Sequence, residues 1–88
     1  MKIIFKYQWN VRAEQFTLKI PKGAKILSIQ TQQDIPTPWA EVEANNSMEI
    51  RKFADYNTGD ELPDNPGEYI GTYCVKNDSI VGHIYEIT

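Results

Sequence analysis

The sequence predicts an all-β domain, either a small β-sandwich or a partly open barrel of about seven antiparallel strands. Apolar residues recur at a spacing of two, which is the period of a half-buried strand, and no stretch carries the apolar stripe of a helix. Turn-forming residues recur about every ten positions, as they do between short strands. Because the chain has 88 residues, we expect residues 1–88 to form a single domain.

The first three predicted strands alternate cleanly. The segment "KIIFKYQW" places Ile3, Phe5, Tyr7 and Trp9 on one face and Lys2, Ile4, Lys6 and Gln8 on the other. The segment "FTLKI" follows, and "PKGA" forms a turn, because proline fixes one dihedral angle and Gly23 adopts a positive φ. The segment "KILSIQTQ" is the third strand. Together these segments supply one apolar face each for a common core.

The fourth and fifth strands are predicted from "DIPTPWAEVE" and "MEIRKF", with a turn at "NNS" between them. Pro36 and Pro38 lack an N–H group, so the start of the fourth strand must lie at a sheet edge or outside the ladder. Alternation places Trp39 on the face of Glu41 and Glu43. Either a bulge rotates Trp39 into the core, or the ring is a surface platform. We expect the two prolines and the early lysines to protect an exposed edge.

The last hairpin is "EYIGTYCVKNDSIVGHIYEIT". A two-residue turn at Asn77-Asp78 sets its register, which pairs Tyr73 with Gly82 and Ile70 with Tyr85. Tyr69 then lies on the face of Tyr73. Because both faces are largely apolar or aromatic, we expect both to be covered. One cover is the domain core, and the other is a partner strand, a loop or a second copy of the chain.

The charge is unevenly distributed. Residues 1–25 carry six basic residues and one acid, a net of +5, whereas residues 26–88 carry three basic residues and eleven acids, a net of −8. Either these charges pair across neighbouring strands, or a basic face recruits an anion. The overall charge of −3 argues against general nucleic-acid binding. Cys74 is the single cysteine, which fits a reducing cytoplasm, and no apolar run or leader pattern indicates a membrane span or secretion.

Four segments resemble a family of small, uncharacterised phage and prophage proteins: "PKGAKILSIQTQ", "PWAEVE", "TGDELPDNPGEYIGTY" and "VGHIYEIT". The resemblance extends over nearly the whole chain. It implies a viral or prophage accessory gene that acts in the host bacterial cytoplasm, and it implies no particular activity. Asp60-Glu61 stand where the family pattern leads us to expect a histidine-containing run.

Catalytic groups are few, so we expect a protein that is not an enzyme and uses no cofactor. Cys74 and His83 share a predicted face within reach of a Cys–His dyad. That face is predicted to be core, where a cysteine is ordinarily inert. The segment "DELPDNPGE" lacks the alternating oxygen ligands of a calcium loop, and a single histidine cannot build a zinc cluster with Cys74. We therefore expect no metal site.

The stretch from Asn57 to Gly67 is predicted to be a connector whose glycines and prolines serve its backbone geometry. It is long enough to serve as a lid or to contact a partner. The residues predicted for that second role are Asn57, Thr58, Gly59, Asp60 and Glu61.

The remaining candidate site combines rings that stack on a base with cations that contact phosphates. Its predicted residues are Trp39, Tyr69, Tyr73, Lys6, Arg12 and Arg51. They lead to the hypothesis of a non-enzymatic, self-associating phage accessory protein that sequesters an anionic, nucleotide-like signal of host defence. The alternative is a protein–protein inhibitor or structural adaptor that binds a host or virion protein through its acidic loop and a sheet face.

Overall fold

The computed structural model describes residues 1–8 and 14–87. Across these residues the backbone forms strands and turns, and it contains no helix that is long and apolar enough to cross a membrane. The strands are β1 (Lys2–Lys6), β2 (Gln15–Pro21), β3 (Lys25–Gln32), β4 (Ile35–Glu43), β5 (Met48–Asn57), β6 (Glu68–Val75) and β7 (Ile80–Ile87).

The strands form two antiparallel sheets that pack face to face. Sheet A has the order β1-β4-β3, and sheet B has the order β2-β5-β7-β6. Strand β3 lies over β6, and the shortest dimension of the molecule is 18 Å, which suits two sheets stacked about 10 Å apart. Among the described strands each sheet ends in unpaired edges, so the molecule is a sandwich and not a closed barrel. The all-β prediction is confirmed.

The core fills the space between the sheets. Phe53, Ile20 and Ile84 are its largest fully buried apolar side chains, and the ring of Phe16 stacks on Phe53 with centroids 5.3 Å apart. A Cβ atom on Gly71 would lie 3.0 Å from Ile29 Cγ1. The two sheets therefore approach closely at this point because β6 has no side chain there.

Strand β4 tolerates two prolines although it is the central strand of sheet A. The carbonyl oxygen of Pro38 accepts a hydrogen bond from Tyr7 N at 2.9 Å, so Pro38 and Pro36 direct their main-chain polar groups toward the β1 side. Strand β1 pairs with β4 only from Trp39 to Glu43. The register pairs Pro36 with Thr31 and Pro38 with Ile29 of β3, and neither proline removes a bond to that strand. The start of β4 therefore lies inside the β3–β4 ladder, and its other side extends beyond the end of β1. The edge alternative fits this arrangement, and the alternative outside the ladder is wrong.

The register of the last hairpin is as predicted for most of its length. Tyr73 pairs with Gly82, but a bulge between Tyr69 and Gly71 pairs Tyr69 with Tyr85. The predicted pairing of Ile70 with Tyr85 is therefore wrong. The connection from β6 to β7 has four residues instead of two, and three of them adopt positive φ values: Lys76, Asn77 and Asp78.

The face of sheet B that carries Cys74 and His83 was predicted to be the core face, but it is the outer face. Tyr73 and Ile84 are buried in the core, whereas Cys74 is exposed and His83 is half-buried on the outer face. The prediction that this pair lies in the core is wrong. Part of the outer face is covered by the connector after β5, which lies against His83 and Tyr85.

Candidate functional site

The two tyrosines predicted to flank a ligand lie on opposite faces of sheet B. Tyr73 is 3% exposed, and its ring occupies the space above Gly82. Its hydroxyl donates a hydrogen bond to Asp55 Oδ2 at 2.5 Å. Tyr69 is 54% exposed. The expectation that they share a face is wrong, because the bulge at Ile70 rotates Tyr69 outward.

Arg51 is engaged within the fold. Its Nε and Nη2 donate to the Glu86 carboxylate at 2.6 and 2.7 Å, and its Nη1 donates to the carbonyl oxygen of Ala24 at 2.5 Å. The hydrogen bonds to Glu86 raise the pKa of the guanidinium above its ordinary value, and burial opposes this. A phosphate would have to displace a bidentate carboxylate at this position.

Lys6 and Trp39 lie together on the outer face of sheet A. The Lys6 ammonium is 5.8 Å from the centroid of the Trp39 ring, and it donates to Gln32 Oε1 at 2.5 Å. Trp39 is half-buried and stays on the face of Glu41. The bulge lies in the neighbouring strand between Ile26 and Ser28, so it does not rotate Trp39 into the core. The ring stays on the outer face of sheet A with its indole Nε1 buried.

Arg12 lies outside the described residues, as does Trp9. The five described members of the predicted ligand set therefore occupy four separate places: the core, the rim of sheet B, the outer face of sheet B and the outer face of sheet A. No single pocket gathers them.

The predicted loop residues form a tight turn after β5. Asn57 N donates to Asp60 Oδ2 at 2.9 Å, and Asp60 N donates to the Asn57 carbonyl oxygen at 3.0 Å. Gly59 adopts a φ of 94°, which suits glycine and strains other residues. Glu61 is exposed. The glycine thus serves the backbone geometry of this turn.

A chain of hydrogen bonds links the turn to the outer face of sheet B. Thr58 Oγ1 bonds to His83 Nε2 at 2.8 Å, and Thr72 Oγ1 bonds to His83 Nδ1 at 3.0 Å. The chain continues from Thr72 Oγ1 to the Tyr69 hydroxyl at 2.5 Å. This cluster was not predicted from the sequence. The predicted hairpin register, which pairs Tyr73 with Gly82, also implies that Thr72 lies opposite His83.

Three tyrosine rings adjoin this cluster. Tyr85 makes edge contacts with Tyr56 and Tyr69, with centroids 5.8 and 5.5 Å apart. A cavity of about 260 Å³ lies between the turn and His83, which is smaller than the usual site for a small organic ligand. The hydrogen bond from Thr58 to His83 and the packing of the connector against Tyr85 hold the connector on the outer face of sheet B.

The chemistry available at this surface is limited. Both ring nitrogens of His83 bond to threonine hydroxyls, so general-base action toward Cys74 would require one of these bonds to break. Within the part of the chain that the structure describes, no group of three or more His, Cys, Asp or Glu side chains is placed to hold a metal ion.

Strand β1 is the most exposed apolar element. All five of its residues are exposed, including Ile4 at 64% and Phe5 at 53%. Strand β1 is also an edge of sheet A. Apolar side chains and unpaired main-chain groups therefore occur together on this strand, a combination that natural edges usually avoid.

Within the described residues, the main-chain hydrogen bonds show which groups of β1 face β4 and which point to the open edge. Tyr7 N donates to the Pro38 carbonyl oxygen, and Ala44 N donates to the Met1 carbonyl oxygen. In an antiparallel ladder alternate residues bond to the same neighbour, so the odd-numbered residues of β1 face β4. The N–H and C=O groups of Lys2, Ile4 and Lys6 consequently point away from the sheet.

These features define a small two-sheet β-sandwich with one edge strand that exposes three apolar side chains between two lysines. The chain belongs to the family described as "Domain of unknown function (DUF7352)", whose sequence model matches residues 1–88. No curated protein and no solved structure matches the chain.

Proposed function

We propose that this protein is a non-enzymatic binding module that docks an extended segment of another protein on the free edge of β1. The observation that carries the proposal is the outward row of N–H and C=O groups on Lys2, Ile4 and Lys6 beside exposed apolar side chains. An added strand would satisfy these groups with main-chain hydrogen bonds and cover the apolar side chains.

The other three edges of the described strands carry features that oppose strand addition. Strand β3 has a bulge between Ile26 and Ser28, and β6 has a bulge between Tyr69 and Gly71. Bulges twist an edge away from an incoming strand. Strand β2 exposes only polar side chains, namely Gln15, Thr17 and Lys19, and ends at a proline. This contrast favours β1 as the docking edge.

The proposal is close to the inhibitor or adaptor alternative from the sequence, with the β1 edge in place of the acidic loop. Sequestration of an anionic, nucleotide-like signal has less support, because its predicted residues are dispersed and Arg51 is occupied by Glu86. A phage origin, a counter-defence role, the host cytoplasm and self-association stay predictions.

The test uses selection from a library of random linear peptides on the immobilised protein, followed by binding measurements on two variants at one position. Ile4→Pro removes the outward N–H and keeps every bond to β4, whereas Ile4→Ala keeps the N–H and shortens the side chain. Selected peptides should bind the wild-type protein and the alanine variant but lose binding to the proline variant. Peptides that bind Ile4→Pro as well as the wild type would refute main-chain docking at β1.

A further inference from the structure

The charge and side-chain order of β1 indicate what kind of strand it accepts. This inference rests on the proposed function and narrows the partner class. We propose that β1 binds an antiparallel strand of another protein in which two acidic residues flank three apolar residues. The acids lie opposite Lys2 and Lys6, and the apolar residues lie opposite Ile3, Ile4 and Phe5.

The register of the incoming strand follows from the direction of the outward main-chain groups of β1. Lys2, Ile4 and Lys6 present three N–H and three C=O groups to the open edge. A new antiparallel strand that pairs directly with these residues forms its hydrogen-bonded pairs at the same positions. Directly opposed side chains share a face, so the partners of Lys2 and Lys6 lie on the outer face of sheet A beside them.

The electrostatics at these positions favour acids. Strand β1 contains two lysines and no acid. Lys6 contacts a ring and an amide, which are neutral groups. Lys2 lies directly opposite Glu43 on β4, and Glu43 also pairs with the N-terminal ammonium. Glu41 and Glu43 lie on the far side of β1, about two strand spacings, roughly 9.5 Å, from the incoming strand. The lysines would be only about 5 Å from it.

The apolar positions complete the pattern. Ile3 and Phe5 are 38% and 53% exposed on the side of β1 that faces the core layer, and Ile4 is 64% exposed on the outer side. Apolar partners opposite all three would remove these surfaces from water at once. An alternating polar strand would cover only one side of β1.

A second copy of this chain fits the edge less well. Antiparallel self-pairing centred on Ile4 would match Ile3 with Phe5, but it would also place Lys2 directly opposite Lys6 twice. Like charges at directly opposed positions destabilise a sheet. The charge pattern therefore selects a different partner strand over self-association.

The test compares two blocked, fluorescently labelled peptides, TEVVVET and TKVVVKT, by fluorescence anisotropy at low salt. We expect the acidic peptide to bind about tenfold more tightly than the basic one, with the difference shrinking as salt is added. The double variant Lys2→Glu/Lys6→Glu should reverse the preference. Because those glutamates would adjoin Glu43, the neutral variant Lys2→Gln/Lys6→Gln is measured as well, and it should abolish the preference.

The outcomes separate this inference from the proposed function. Two results would overturn the acidic pattern and leave main-chain docking intact. In the first, both peptides bind with equal affinity. In the second, neither peptide binds, although library-selected peptides still require the Ile4 N–H. Light scattering that showed a dimer broken by Ile4→Pro would assign the edge to a second copy and also overturn the pattern. A monomer that prefers TEVVVET supports it.

Discussion

The ring of Tyr73 on β6 lies directly over Gly82 on β7. A Cβ atom added to Gly82 would lie 2.3 Å from Tyr73 Cζ, and the ring cannot move aside because it is 3% exposed and its hydroxyl is bonded to Asp55. The ring covers the glycine in the way that an aromatic neighbour stabilises glycine in a strand.

We therefore expect Gly82→Ala to lower the free energy of unfolding by about 1–3 kcal/mol through overpacking. Urea denaturation followed by circular dichroism measures this. The matched control is the same substitution in a Tyr73→Leu background, where the missing ring leaves space for the methyl group and the loss should be smaller. An equal loss in both backgrounds would show that the ring is not the obstacle.

The Arg51–Glu86 pair is the best-defined ion pair of the described residues, with side-chain exposures of 17% and 14%. Arg51→Met alone should destabilise the protein by about 3 kcal/mol, because it leaves the Glu86 carboxylate without its bidentate partner. The double variant Arg51→Met/Glu86→Leu should recover part of that loss. Additive losses in a denaturant-based double-mutant cycle would contradict the pairing.

At this scale the sequence was a partial guide. It predicted the pairing of Tyr73 with Gly82, because glycine and an aromatic residue were aligned by the hairpin turn. It could not place Tyr69, because one extra residue in β6 reverses the face of everything before it and leaves no local signature. It also could not show that Arg51 binds Glu86, which lies 35 positions away.

Strand β1 offers a test at the scale of the element. Proline at position 4 removes only an outward N–H, whereas proline at position 3 removes an N–H that bonds to Val42 in β4. We expect Ile3→Pro to cost about 1–3 kcal/mol more stability than Ile4→Pro. Thermal and urea unfolding of the two variants would measure this. Equal costs would show that the free groups have been assigned to the wrong residues.

The element boundaries show which patterns were informative. The alternation of β2 was readable because this strand has one buried face. In β3 the bulge between Ile26 and Ser28 interrupts the alternation and leaves Leu27 44% exposed. The position of β4 at the centre of its sheet was not readable, since Pro36 and Pro38 are typical of edges. A central strand can hold these two prolines because both direct their main-chain groups toward the side of β4 where β1 has ended. The partition of strands between two sheets depends on long-range pairing that no local pattern encodes.

For the whole molecule, the uneven charge of the sequence is matched across strands at two positions. The register places Lys2 opposite Glu43 and Lys25 opposite Glu41. This supports the alternative in which the basic N-terminal segment pairs with acids on neighbouring strands. Glu43 also pairs with the N-terminal ammonium, and Lys6 lies opposite Trp39, so β1 keeps a net positive charge for a partner.

Alkaline pH provides a global test of packing at Tyr7. Burial raises the pKa of Tyr7 above its ordinary value of 10.0. The folded protein therefore holds the phenol proton more tightly than the unfolded chain, and this stabilisation is complete below the unfolded pKa and is lost as the pH rises through the folded pKa.

Unfolding free energies measured from about pH 9 to about pH 11 should therefore fall with pH, and they should fall less in Tyr7→Phe. The phenylalanine variant keeps the ring and its edge contact with Phe5, whose centroid lies 5.4 Å away. An identical pH dependence in the two proteins would contradict the raised pKa of the partly buried Tyr7.

The claim that most of this account depends on is that alternate main-chain groups of β1 are free. Amide hydrogen exchange, measured residue by residue by NMR with and without TEVVVET, tests it most directly. In the free protein the amides of Ile3 and Phe5 should exchange slowly and those of Ile4 and Lys6 quickly, and the peptide should slow Ile4 and Lys6 selectively. Protection of the Ile4 and Lys6 amides in the free protein would show that these groups are not free. Rapid exchange of the same amides with the peptide bound would show that the peptide does not bond to them.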